Sequence, residues 1–234
     1  MNIDNGINID NSNWKFNKEV VDVFDSHVRK SVPMYDDFHK TIIDISEWFV
    51  EEGSNIYDIG TSRGEALRNI AKHHKSKQLN CIGIDESKDM IDKAREDSDG
   101  IMFINADVTS NDVSLNNASF ITSILTMQFI SQRKRKNLIK KIYDGLNDGG
   151  GFILVEKVIG NNARFDEMFI ELYHDFKLEK GLSTEEVFAK SRAIRGAMKP
   201  NTNKENINIL EEVGFKDVDI FFKWCNFVGY VCIK

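Results

Sequence analysis

The sequence is poor in residues that staple or punctuate a chain. It has two prolines, Pro33 and Pro200, and three cysteines in 234 residues. Cys81, Cys225 and Cys232 form no Cys-x-x-Cys pair. That spacing argues against a disulfide scaffold or a cysteine-based zinc site. They read as reduced core residues of a cytoplasmic protein. The histidines show no metal-ligand spacing, so no metal is expected. No apolar run reaches the roughly 18–20 residues of a membrane span. The polar, Asn-rich start lacks the apolar stretch of a signal peptide. An excess of positive charge is also missing. Against 37 acidic residues stand 31 basic ones, a net charge of −6. This argues against direct binding to bare nucleic acid. The basic run from Arg133 to Lys141 reads as an exposed helix face.

What is present is globular: 41% hydrophobic and 29% charged residues, enough for one domain with a large core. Residues 1–13 are expected to be a loosely attached tail. Residues 14–52 carry two helical patterns, Phe16 to Val28 and Tyr35 to Val50. Strands and helices then alternate. Strands are predicted over 55–59, 80–84, 102–105, 119–127 and 151–156, and helices over 65–74, 87–96 and 132–146. Asn147-Asp148-Gly149-Gly150-Gly151 is a strong helix stop. This rhythm implies a parallel sheet with right-handed crossovers. It breaks at an inserted helical pair over 162–200. A helix over 204–213 and two closing strands, 218–223 and 227–233, follow. The expectation is one α/β domain, 1–234, with a mostly parallel seven-stranded sheet, helices on both faces and an added helical lid.

The first strand ends in Tyr57-Asp58-Ile59-Gly60-Thr61-Ser62-Arg63-Gly64. Glycine lets the backbone turn tightly against a ligand. A pyrophosphate cofactor would ask for G-x-G-x-x-G, which is absent. D-x-G-x-x-x-G suits a cofactor whose amino acid part carries an ammonium, with Asp58 as its partner. Asp85, at the end of the second strand, is placed to accept two ribose hydroxyls, with Glu86 beside it. Asp107, at the end of the third, is placed for an adenine amino group, and the Val108 amide for a ring nitrogen. Three acids at the ends of three successive parallel strands point to S-adenosylmethionine (SAM).

The chain also resembles the carboxy-S-adenosyl-L-methionine synthases, relatives of the class I SAM-dependent methyltransferases with a Rossmann-like fold. The resemblance runs from Trp14 to Lys234. It rests on Lys30-Ser31-Val32-Pro33-x-Tyr35, on the glycine loop with Ser62 where glycine is usual, and on Thr126-Met127-Gln128-Phe129 and Glu156-Lys157. Its most specific part is His174-Asp175-Phe176-Lys177, followed by Gly181, Ser183, Glu185 and Arg192. The chain departs from the family pattern at Glu86, Ile124, Asp148 and Leu182.

The resemblance implies that the carboxylate lost by prephenate is attached to the SAM methyl carbon. Carboxy-SAM and phenylpyruvate are the products. It further implies a homodimer and a downstream carboxymethyltransferase acting on a tRNA wobble uridine or another acceptor. Tyr35, Gly60, Thr61, Ser62, Asp85, Glu86, Asp107, Val108 and Arg192 would line the cofactor site, and Arg192 would hold the new carboxylate. Two other readings remain open. One is an ordinary SAM-dependent methyltransferase acting on a small molecule. The other is a non-catalytic SAM-binding subunit.

Overall fold

The computed structural model describes residues 2–3, 7–8, 27–98 and 100–234. Two short strands, β1 (Asn2–Ile3) and β2 (Ile7–Asn8), pair antiparallel within the segment expected to be a loose tail. The helix expected over 16–28 lies outside the described residues except at its end, where 27–31 is helical (α1).

The chain then runs α2 (Tyr35–Ser46), β3 (Asn55–Ile59), α3 (Glu65–His73), β4 (Asn80–Asp85), α4 (Lys88–Glu96), β5 (Met102–Asn105) and β6 (Ala118–Ile124). Next come α5 (Gln132–Gly145), β7 (Leu146–Lys157), α6 (Ala163–Glu179), α7 (Thr184–Ala193), α8 (Asn203–Val213), β8 (Asp217–Trp224) and β9 (Phe227–Ile233). The seven long strands form one sheet in the order β5-β4-β3-β6-β7-β9-β8. Pairing is parallel from β5 to β7, and β9 runs antiparallel to both β7 and β8. The expected fold class, a Rossmann-like class I methyltransferase fold, is what the chain adopts.

The sheet is buried from both sides because side chains alternate along its central strands. Tyr57, Ile121 and Phe152 face a layer built by Leu138, Ile139 and Ile142 of α5 with Leu210 of α8. Their neighbours Ile56, Phe120 and Ile153 face Phe38 and Ile42 of α2 and Leu67 and Ile70 of α3. Each of these side chains is at most 5% exposed. Placing β3 and β6 side by side at the centre also sets the site. The order of connections reverses there, and ligands bind at the carboxyl ends of such strands.

Several boundaries differ from expectation, among them the end of α2, which stops at Ser46 and not Val50. β6 ends at Ile124, and Met127–Phe129 is a short 3-10 turn rather than more strand. The cause is local: Leu125 has φ 55°, which ends the pleat. β7 begins directly after α5, so the glycine-rich stop lies inside a strand. Gly149 has φ 76°, and its N–H donates to the Lys234 carbonyl at 2.9 Å, so the strand bulges there instead of ending. α7 stops at Ala193, short of the 200 at which the helical pair was expected to end.

Candidate active site

One cavity of about 600 Å³ opens at the carboxyl ends of β3, β4, β5 and β6 and continues under α6 and α7. Its acid edge is built by the first strand–helix turn. Gly60 has φ 71°, and a Cβ there would overlap the Thr126 side chain, so only glycine fits. The Gly60 and Thr61 amides donate to the Ile84 carbonyl at 2.8 and 3.1 Å, locking the loop to β4. Ser62 adopts φ 50°, a left-handed conformation that a non-glycine residue holds only when its surroundings enforce it. Its amide donates to Asp85 Oδ2 at 2.8 Å. The Ser87 amide donates to Asp85 Oδ1, also at 2.8 Å. Ser87 then caps α4 by accepting the Met90 amide. Asp85 is thus pinned by both loops, and its pKa is raised by burial against these two bonds.

Asp58 is 3% exposed yet borders the cavity. It accepts Thr122 Oγ1 at 2.7 Å. Among the described residues no cationic side chain pairs with it. Burial therefore pushes its pKa up to about 6, opposed by the Thr122 bond and aided by the Asp85 charge. Asp107 lies nearer solvent. It accepts the Thr109 amide and hydroxyl at 2.8 and 2.6 Å and meets Lys134 at 3.5 Å. The Thr109 hydroxyl holds its pKa below the usual range, with Lys134 helping. Val108 is buried behind it, and the exposed Glu86 lies on the rim.

Tyr35 borders the cavity beside the start of α3. Its hydroxyl donates to Glu65 Oε2 at 3.4 Å, and the Arg29 guanidinium lies 5.2 Å from its ring centroid. The structure therefore brings Tyr35, Asp58, Gly60, Thr61, Ser62, Asp85, Glu86, Asp107 and Val108 to one wall-lined space.

Arg192 is not among them. Within a single chain it lies outside the residues that line the cavity. It lies on the exposed side of α7, while Lys190 and Ser191 border the cavity. The reason is helical phase: α7 buries Val187, Ala189 and Ala193, which leaves Arg192 to the outside.

Residues that the sequence did not single out for the site line the other end: Lys157, Tyr173, Lys177 and Lys190, with His174. The cavity is therefore acidic at the strand ends and basic beneath α6. Its acid edge fits SAM. A buried carboxyl without a cation faces the space, a second carboxylate is held rigid beside it, and a glycine leaves the backbone bare. Among the described residues no three metal-binding side chains converge.

Comparison with known proteins agrees. A family model described as a methyltransferase domain matches residues 56–150. Phosphoethanolamine N-methyltransferase 2 of Haemonchus contortus, solved with SAM, superposes with a TM-score of 0.66 at 14% identity, covering 94% of this chain and 57% of that one. A putative SAM-dependent methyltransferase of Methanococcus maripaludis gives 0.60 at 20% identity, covering 97% of each. Fold and site together define a SAM-binding enzyme of the class I methyltransferase type.

The relatives narrow the class further. The carboxy-S-adenosyl-L-methionine synthase of Staphylococcus epidermidis is 49% identical over 224 residues, 94% of this chain and 97% of that protein. The synthase of Nautilia profundicola is 38% identical, covering 94% of each. The chain belongs to the carboxy-S-adenosyl-L-methionine synthase family.

Proposed function

We propose that the chain makes carboxy-SAM from SAM and prephenate, releasing phenylpyruvate and water. The observation that carries this reading is the cavity itself. Its acid edge suits a sulfonium cofactor, and the same space continues to a basic end suited to an organic acid. The balance is simple. A carbon–carbon bond forms between the methyl carbon and the departing carboxyl. The prephenate ring loses that carboxyl and its hydroxyl and becomes aromatic. The hydroxyl leaves with the methyl proton as water.

When bound, SAM supplies a methyl group acidified by the neighbouring sulfonium. The chain does the rest by position. Asp58 holds the ammonium, Asp85 the ribose hydroxyls, and Asp107 with the Val108 amide the adenine. Tyr35 and α6 close the space, which keeps water from the reacting carbons and aligns them.

We infer that Arg192 reaches the new carboxylate from a second copy whose α7 closes on the cavity. The apolar side chains exposed on α6 and α7, Phe165, Met168, Leu172 and Phe188, support such a homodimer. The proposed setting is cytoplasmic, which the three free cysteines support. The product would serve a partner carboxymethyltransferase acting on a tRNA wobble uridine or another acceptor. Among the described residues no helix is long and apolar enough to cross a membrane.

The test is mass spectrometry of SAM incubated with the protein, with and without prephenate. The reading expects carboxy-SAM and phenylpyruvate only when prephenate is present. Methyl transfer to a small acceptor, with SAM unchanged by prephenate, would favour the ordinary methyltransferase. Ile124, an apolar residue facing the cavity where the family pattern differs, is the feature that favours that alternative.

A further inference from the structure

Two lysines and one tyrosine at the basic end have no task in cofactor binding. Lys157 is the last residue of β7, and Lys177 lies one turn beyond Tyr173 on α6. Their ammonium nitrogens lie 4.5 and 4.0 Å from the centroid of the same Tyr173 ring. That ring is fixed from two directions. Its hydroxyl donates to the Ser31 carbonyl at 2.7 Å, and Phe227 meets it edge-on at 5.3 Å.

Lys177 is 6% exposed and Lys157 half-buried, yet among the described residues neither ammonium group has a hydrogen bond or an ion pair. The nearest compensating charge on Lys157 is Asp166, which is engaged with the Gly160 amide at 2.9 Å. His174 and Lys190 line the same region and add no negative charge. Burying two ammonium groups beside each other is costly unless an anion joins them. Burial brings both down to about 8, with the Lys157 charge contributing to the lowering at Lys177. A quadrupole face attracts cations, so the ring holds both near the cavity.

We propose that Lys157 and Lys177, held over Tyr173, bind the carboxylate that the second substrate keeps through the reaction. This rests on the reading that the second substrate is a dicarboxylate losing one of its two carboxyl groups. The choice between the two follows from charge. A carboxylate that leaves its carbon surrenders its negative charge in the transition state. Two cations gripping it would favour the ground state and slow the loss. The carboxylate that persists gains from the same grip at every stage, and anchors the ring for transfer. The ligand class is therefore an aryl or cyclohexadienyl α-keto acid.

The experiment uses the whole chain with Lys157→Met and Lys177→Met made singly. SAM affinity by calorimetry verifies folding and an intact cofactor site, and should stay within about threefold. The KM for prephenate and the inhibition constant of phenylpyruvate should both rise. About 10- to 150-fold is expected for losing one charged hydrogen bond. Phenylpyruvate carries only the retained carboxylate, so it decides which one is held. A rise in the prephenate KM without a rise for phenylpyruvate overturns the assignment. So does no change in either while SAM still binds. If the wild-type protein makes no carboxy-SAM from prephenate, the functional reading fails separately. Calorimetry of phenylpyruvate on the SAM-loaded protein then decides alone: lysine-dependent binding supports the subsite, and absent or lysine-independent binding removes it.

Discussion

Cofactor affinity should depend on pH through Asp58. In the folded protein this buried carboxyl titrates at about 6 instead of the usual 3.8, chiefly because burial penalises its charge. The folded pKa is raised, so the group favours the folded state most below about pH 4. That contribution, about 3 kcal/mol, is lost as pH rises through 6. An ammonium docked beside the carboxylate reverses this penalty. Binding must then expel a proton whenever the carboxyl is protonated. The apparent Kd for SAM should rise about tenfold per pH unit below 6, and so about tenfold between pH 7 and pH 5. Calorimetry in two buffers of different ionisation heat measures both the affinity and the proton released. Asp58→Asn, a neutral near-isostere, should flatten the profile. His39 and His174 also line the cavity, but they are unchanged in the variant, so the ratio of the two profiles isolates Asp58. Identical slopes for wild type and variant would refute the reasoning.

Three further outcomes follow from the geometry. Asp85→Asn places an amide against one of two backbone N–H donors, at Ser62 or Ser87. It should weaken SAM binding about 10- to 150-fold by calorimetry, for one charged hydrogen bond lost. Gly60→Ala meets both a positive φ and the Thr126 side chain. It should cost at least about 1–3 kcal/mol, seen as a lowered Tm together with lost SAM binding. Leu138→Ala empties a site 1% exposed beneath the sheet. It should cost about 2–5 kcal/mol in denaturant unfolding while leaving the folded protein's SAM affinity within twofold.

The acid edge was legible because a parallel sheet converts sequence into position. Asp58 and Asp85 end neighbouring strands, with Ile59 opposite Ile84 in the pairing. A glycine loop followed by two such acids therefore names one edge. The basic end was not legible, because α6 breaks the rule that reveals a buried face. Phe165, Met168 and Leu172 recur at helical spacing and are 47% exposed each, while Tyr173 and Lys177 on the same helix are buried. Apolar periodicity would point that helix the other way. Arg192 was chosen by resemblance, and only the phase of α7 reveals that it faces outward. The early start of β7 was hidden for a similar reason. Glycines read as a stop, yet the antiparallel partner β9 and the chain end at Lys234 extend the strand through them.

Tracing one carbon tests the central claim most directly. Prephenate labelled with carbon-13 in its ring carboxyl is incubated with the protein and unlabelled SAM, and the sulfonium products are weighed by mass spectrometry. Carboxyl transfer within the cavity predicts carboxy-SAM carrying the label in nearly every molecule, with an equal amount of unlabelled phenylpyruvate. Carboxy-SAM that carries no label, or SAM that remains unaltered while prephenate persists, would contradict the account.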